Sequence, residues 1–238
     1  TALPLFVWMG EILFRTKLSE NLFEGLAPWL QKLPGGLIHV NVVGCALFAA
    51  ISGSSAATVA TVGKMSIPEL RKRKYPEKIL LGSLAGSGTL GLLIPPSIIL
   101  IIYGVAVQES IAKLFIAGII PGIMIALIFM SYVIIWSLLN KKEMPKILEE
   151  YSFFEKLKRS KQLLPVILLI SAVIGSIYSG IATATEAASL GVVGALVLSF
   201  FQKSLNMQTF KSSLMGATKT SCMIAFILAG STFLSLAM

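Results

Sequence analysis

The run Ser52-Gly53-Ser54-Ser55-Ala56-Ala57-Thr58 sets four hydroxyls and a glycine inside an apolar stretch. Val40 to Ile51 upstream is apolar apart from Asn41, and Ala56 to Val62 downstream is small and apolar with threonines. A second interruption, Gly86-Ser87-Gly88-Thr89-Leu90-Gly91-Leu92-Leu93-Ile94-Pro95-Pro96-Ser97, falls inside the apolar segment Ile79 to Val107. Pro95 and Pro96 lack amide donors and clash with the preceding turn, and each pushes its predecessor towards extended backbone. Breaks of this kind free backbone carbonyls beside hydroxyls. That combination of oxygens suits a hard cation such as Na⁺.

The elements that must hold these oxygens follow from composition. The chain has 238 residues, 55% of them hydrophobic and 13% charged, with a mean hydropathy of +0.85. These values mark an integral membrane protein. At bilayer depth every backbone polar group must be satisfied internally, so non-helical backbone survives only inside protein or along a watery cavity. Two short apolar helices meeting at the Ser/Gly tip therefore predict a re-entrant hairpin over Leu37–Gly63. Ile79–Val107 reads as a spanning helix broken in its middle. Paired breaks are a common way to build a site at mid-membrane. The chain has no signal-peptide pattern before Leu18, opens inside an apolar run and stops in one, as a piece of a longer protein would.

Taken in order, Ala2–Phe14 reads as the end of a span. Arg15–Pro34 carries Leu18, Leu22, Leu26 and Leu30 at helical spacing among charges, which predicts an amphipathic helix along the interface. Lys64–Lys78 is a basic connection. Leu114–Leu139, Leu163–Tyr178 and Ala187–Phe201 read as spans, Asn140–Gln162 as a basic linker and Gln202–Lys219 as a polar, partly amphipathic link. Thr220–Met238 begins a further span. With the hairpin entering from the side of Lys64, alternation puts 19 of the 20 Lys and Arg residues on one side. That side is cytoplasmic by the positive-inside rule. Phe6-Val7-Trp8-Met9-Gly10 echoes Phe226-Ile227-Leu228-Ala229-Gly230, with opposite directions across the membrane, as an inverted repeat requires.

Gly35-Gly36-Leu37 with Leu47 to Ala56, Gly88 to Ser97, Ile102-Tyr103-Gly104-Val105, Glu109 to Gly118, Pro121-Gly122 and Thr185-Glu186-Ala187 follow one order along nearly the whole chain. In that order they resemble the large membrane subunit of the tripartite ATP-independent periplasmic (TRAP) transporters. The resemblance implies an all-α polytopic protein of the bacterial inner membrane with an elevator-type ion-transporter fold, inverted repeats, a re-entrant hairpin and a discontinuous helix. It implies Na⁺-coupled uptake of organic acids of the C4-dicarboxylate or sialic acid class. The implied partners are a small membrane (Q) subunit, a periplasmic substrate-binding protein, membrane lipid and the organic-anion substrate, without nucleic acid. The family's first spans, second hairpin and second Pro-Pro break are absent from this chain, so half of the expected site is missing.

On this reading 1–34 holds a scaffold-helix end and an arm helix, and 35–107 one half of a transport domain. Residues 108–162 hold a span and the cytoplasmic linker, and 163–238 the start of the second repeat. The arm helix braces the moving hairpin against a static scaffold. Na⁺ is expected at Ser52, Gly53, Ser54, Ser55, Gly88 and Thr89. The substrate is expected at Ser55, Thr58, Pro95, Pro96 and Ser97, with Ser97 also offering a hydroxyl to the ion. Helix N-termini at the tip would present amides to a substrate carboxylate. Close helix packing by small residues is the competing explanation of both glycine-rich runs.

Other residues point away from chemistry. Glu186 sits at a helix start, where an acid complements the dipole. His39 is the only histidine and lacks a second ligand. Cys45 and Cys222 lie in separate apolar runs and read as small hydrophobes. Trp8, Trp29 and Trp136 are expected to anchor at interfaces. One histidine and no aspartate make a hydrolytic nucleophile–base pair improbable, and no GxxxxGK[ST] signals ATP use. The alternatives left are an Na⁺- or H⁺-coupled anion transporter without a binding protein, and a channel. A channel filter tends to need several subunits, whereas this chain holds two broken elements of its own.

Overall fold

The computed structural model describes residues 2–15, 18–145, 152–161 and 163–237, with the side chains of 18–22 and 235–237 outside the description. Among the described residues it is all-helical: α1 (Ala2–Phe14), α2 (Leu18–Leu30), α3 (Ile38–Ser52), α4 (Ser55–Lys72), α5 (Glu77–Gly88), α6 (Ile98–Ala106), α7 (Ile111–Leu139), α8 (Phe153–Ser160), α9 (Leu164–Tyr178), α10 (Ala184–Phe201) and α11 (Met207–Ala237). A 3₁₀ turn, Thr89–Leu92, continues α5.

Helix lengths separate spans from half-spans. Ile111–Leu139, Ala184–Phe201 and Met207–Leu234 are long and apolar enough to cross a membrane. At about 1.5 Å per residue, α3, α5 and α6 reach only roughly 22, 18 and 14 Å, short of the ~30 Å hydrocarbon core. Helix breaks stand at both interruptions: α3 and α4 meet at Gly53–Ser54, and α5 with its 3₁₀ turn is separated from α6 by Leu93–Ser97. The predicted span Leu163–Tyr178 is the 15-residue α9. It reaches spanning length only together with α8, from which it bends by 58°.

Helix association in a bilayer rests on van der Waals packing and polar contacts, since lipid tails are as apolar as leucine. α1 is the central post. It packs on α10, α11, α3 and α6, burying Phe6, Met9, Ile12 and Leu13. The Phe6 ring meets Phe115 of α7 edge-on at 5.9 Å. α3, α4 and α5 pack mutually, and Asn41 Nδ2 donates from α3 to Leu80 O (3.2 Å) and Ser83 Oγ (3.0 Å) of α5. These bonds tie the hairpin to the broken helix. At the mouth of the hairpin the Tyr75 hydroxyl accepts from Leu37 N at 3.1 Å, and burial pushes this phenol up from its ordinary value, keeping it neutral.

Two sequence expectations change. Gln202–Lys219 is not a link: α11 already starts at Met207. Its buried Ser213, Ala217 and Ile224 recur at helical spacing on the face towards α1, and the first two are small, so hydropathy there hid a helix. The tryptophans, expected as interfacial anchors, join helices. Trp8 Nε1 donates to Ser213 Oγ at 3.3 Å, Trp29 Nε1 to Ser160 Oγ at 2.7 Å, and Trp136 packs beside buried Ile38, Ile79 and Val133. Of the predicted apolar stripe on α2, Leu26 is buried in the main core and Leu30 packs against it. The side chains of Leu18 and Leu22 lie outside the described residues.

Orientation is open to a direct check. Arg71 is exposed and paired with Glu77 at 2.7 Å, a solvent-screened contact whose loss leaves the fold intact. Arg71→Cys, with exposed Cys222 replaced by serine, is expected to resist a membrane-impermeant thiol reagent in intact cells and to react after permeabilisation. Labelling from outside overturns the inward placement of the basic side.

Candidate functional site

Gly53 closes α3 in the left-handed conformation, φ +59°, with its N–H on Ala49 O. Only glycine takes this conformation without steric cost. Ser54 is then extended and caps α4, its Oγ accepting from Ala57 N at 3.4 Å. Ser52 Oγ lies 2.9 Å from Thr58 Oγ1 and accepts from Ser54 N at 3.3 Å. Thr58 Oγ1 donates to Ser54 O at 2.8 Å. The tip is thus a closed polar knot of Ser52, Ser54 and Thr58, in which Ser52 and Thr58 are buried.

The second break is built similarly. Thr89 Oγ1 donates to Gly86 O at 2.7 Å and prolongs α5 into its 3₁₀ turn. Pro95 and Pro96, joined by a cis peptide bond, lie between the 3₁₀ turn and α6. Ser97 then caps α6: its Oγ donates to Leu92 O at 2.7 Å and accepts from Leu100 N at 3.4 Å.

The structure brings the two breaks into contact. Ile98 N donates to Gly53 O at 3.3 Å. A Cβ on Gly53 would stand 2.6 Å from Pro96 O, and one on Gly91 would stand 3.0 Å from Ser55 N. Gly88 lies against Val59 and, more distantly, Ser55 O. Two helix C-termini (α3, α5) and two N-termini (α4, α6) therefore converge at one place inside the apolar mass. C-termini concentrate carbonyl oxygens and partial negative charge, and N-termini offer amides and partial positive charge. Such a crossing can hold a cation and an anion side by side.

The candidate residues differ in what they have left to offer. Hydroxyls of Ser55 and Ser87 are buried without a hydrogen-bond partner, a state that costs about 1–3 kcal/mol unless a ligand or water meets them. Thr89 is exposed; having donated its proton it retains lone pairs for a cation. Ser97 both donates and accepts within its own turn and is fully buried, so its evident work is holding the break in shape.

Ser87 and Gly91 belong to the second interruption, yet the sequence gives neither a role of its own, and Gly10 carries none either. A Cβ on Gly10 of α1 would lie 3.2 Å from the carbonyl oxygens of Ile51 and Ser52. A glycine in an otherwise bulky helix was the available signal for that close approach. Elsewhere Glu186 completes a capping box with Thr183, accepting from its N and Oγ1 at 2.8 Å, a structural role. Nε2 of His39 lies 2.8 Å from Pro34 O, and no group of three or more His, Cys, Asp or Glu side chains gathers among the described residues.

The family described as "Tripartite ATP-independent periplasmic transporter, DctM component" matches residues 1–238. The chain is 36% identical over 229 residues to the C4-dicarboxylate TRAP transporter large permease protein DctM of Pseudomonas aeruginosa, covering 96% of this chain and 53% of that protein. To the sialic acid TRAP transporter large permease protein SiaM of Vibrio cholerae it is 35% identical over 234 residues, covering 97% and 54%. It is 33% identical over 235 residues to the isethionate TRAP transporter permease protein DctMQ of Oleidesulfovibrio alaskensis, covering 97% and 36%. The chain spans about half the length of the large permease relatives it matches. It belongs to the DctM family of tripartite ATP-independent periplasmic transporters.

Proposed function

We propose that this chain is part of a bacterial inner-membrane permease, holding one half of its transport domain and the start of a second repeat, that couples Na⁺ entry to uptake of an organic acid, of the C4-dicarboxylate or sialic acid class. The observation that carries the reading is the convergence of four helix ends at Ser52–Ser55 and Gly88–Ser97, within hydrogen-bond reach of each other at Gly53 O and Ile98 N. In this reading Ser52, Gly53, Ser54, Ser55, Gly88 and Thr89 serve Na⁺. Ser55, Thr58, Pro95, Pro96 and Ser97 face or shape the substrate. The ion is cargo, bound and released in each cycle. The missing half supplies the remaining ligands.

An elevator movement fits the division of the fold. The unit α3–α6 carries the candidate site, whereas α1 packs broadly with α10 and α11. α2 touches both α1 and the hairpin and is placed to brace one against the other. Substrate arrives from a periplasmic binding protein, and a small Q subunit completes the membrane assembly. The smaller share of the DctMQ relative covered by this chain accords with an additional component in that protein.

The test is uptake into proteoliposomes by the full-length permease with its small subunit. Binding proteins loaded with succinate or sialic acid would be supplied in turn, with and without an inward Na⁺ gradient. Uptake that needs both the gradient and one binding protein is the expected result. Uptake without any binding protein supports the simpler anion symporter, and passive flux through an open pore supports a channel.

A further inference from the structure

We propose that α8 is an interfacial helix that docks on anionic phospholipid headgroups of the cytoplasmic leaflet, and that it fastens the arm helix α2 to that surface. α8 has only eight residues, too few for an isolated helix to persist in water. Its N-terminus is closed by a capping box between Ser152 and Glu155, and one flank is held by Trp29 of α2. The indole donates to Ser160 Oγ at 2.7 Å, meets the Phe153 ring edge-on at 6.1 Å and carries the Lys156 ammonium 5.5 Å from its centroid.

Among the described residues the adjoining flank is left largely exposed. Phe154 and Leu157 are 78% and 48% exposed, and with Phe153 they occupy an arc of about 100° on the helix wheel. Lys158, Arg159 and Lys161 follow on the same short segment. An apolar arc flanked by lysines is the pattern of a helix lying in the headgroup region, rings in the acyl boundary and ammonium groups on phosphates. α8 leaves the axis of α9 by 58°, as a surface-lying segment preceding a membrane-entering one does. Charge selects the occupant: Lys156, Lys158, Arg159 and Lys161 crowd one short segment, on the side that the positive-inside rule reads as cytoplasmic, and a negatively charged leaflet is the partner that complements it. Because Trp29 belongs to α2, lipid held by α8 also fixes the height of the arm at the surface.

The experiment uses the full-length permease, its exposed cysteines replaced, carrying single spin labels at Phe154→Cys, Leu157→Cys or, as an aqueous reference, Lys142→Cys. Labelled protein is placed in nanodiscs of phosphatidylcholine alone or mixed with phosphatidylglycerol. Collision with oxygen and with a water-soluble nickel chelate is then measured. In the anionic discs, labels at 154 and 157 are expected to favour oxygen and the reference label nickel. Lys158→Glu with Lys161→Glu should lower the docked-to-undocked ratio about fivefold or more per charge, and do so only with anionic lipid. An unchanged thermal midpoint in detergent shows that the variant folds. Nickel access at 154 and 157 equal to that at 142 overturns the proposal. So does docking that ignores lipid charge, and so does shielding that appears only when the small subunit is added, which would make a protein the occupant.

Discussion

Gly53→Ala is expected to abolish Na⁺-driven uptake while leaving the protein inserted in the membrane. Two costs act together at this position. A left-handed backbone costs a residue with a Cβ about 1–2 kcal/mol, and the added carbon would sit 2.6 Å from Pro96 O and 3.2 Å from Ile98 N. Ordinary contact begins near 3.4 Å, so the hairpin tip must retreat from the Pro-Pro break by roughly 0.8 Å. Binding constellations tolerate about 0.5 Å of displacement. The change therefore separates the helix ends whose meeting makes the site, and the bond from Ile98 N to Gly53 O goes with it. Gly82→Ala is the matched control, because a Cβ there meets nothing within 4 Å; it should leave uptake unchanged and favour α5 by about 0.5–1 kcal/mol. Full uptake by Gly53→Ala would show that close apposition of the two breaks is dispensable. Equal loss in Gly82→Ala would point to general helix fragility.

The two breaks were legible in the sequence because their causes are local. A glycine among serines ends a helix by its own backbone preference, and two adjacent prolines remove donors wherever they stand. What the pattern could not give was the remaining capacity of each hydroxyl. Ser54, Ser97 and Thr89 look alike in sequence as polar atoms in apolar runs. In the fold, Ser54 and Ser97 are helix caps, and Thr89 bonds the preceding turn. Those partners lie within five residues, yet choosing them requires knowing where each helix starts, and boundaries are the least certain part of a pattern. The helical start of α11 was hidden for a different reason. Its buried positions are Ser213 and Ala217, small residues admitted because α1 approaches closely, so hydropathy carried no signal there.

The spent hydroxyls decide which substitution tests the ion site cleanly. Ser54→Ala removes a helix cap and costs about 0.5–2 kcal/mol whether or not an ion binds, so a change in Na⁺ dependence there has two explanations. Ser55 and Ser87 do not share this fault, because each hydroxyl is buried with no protein partner. Without a ligand, removing an unsatisfied buried hydroxyl relieves a desolvation cost of about 1–3 kcal/mol. Ser55→Ala should then leave the apo protein as stable as before or more so. If the hydroxyl is an Na⁺ ligand, its loss forfeits about 1.5–3 kcal/mol of interaction with a charged group, equivalent to roughly a tenfold or greater rise in the Na⁺ needed for half-maximal effect. The measurement is thermal unfolding of purified full-length permease against Na⁺ concentration, with K⁺ at equal ionic strength as reference, since a ligand bound only by the native state raises its midpoint. The expected signature is a sign reversal: Ser55→Ala melts no lower than the parent in K⁺ but lower than the parent at intermediate Na⁺, and converges with it at saturating Na⁺. Ser87→Ala should follow if the ion sits between the hairpin tip and α5. Parent-like Na⁺ stabilisation in both variants would assign these hydroxyls to buried water and leave the tip carbonyls around Gly53, with ligands from the missing repeat, to hold the ion.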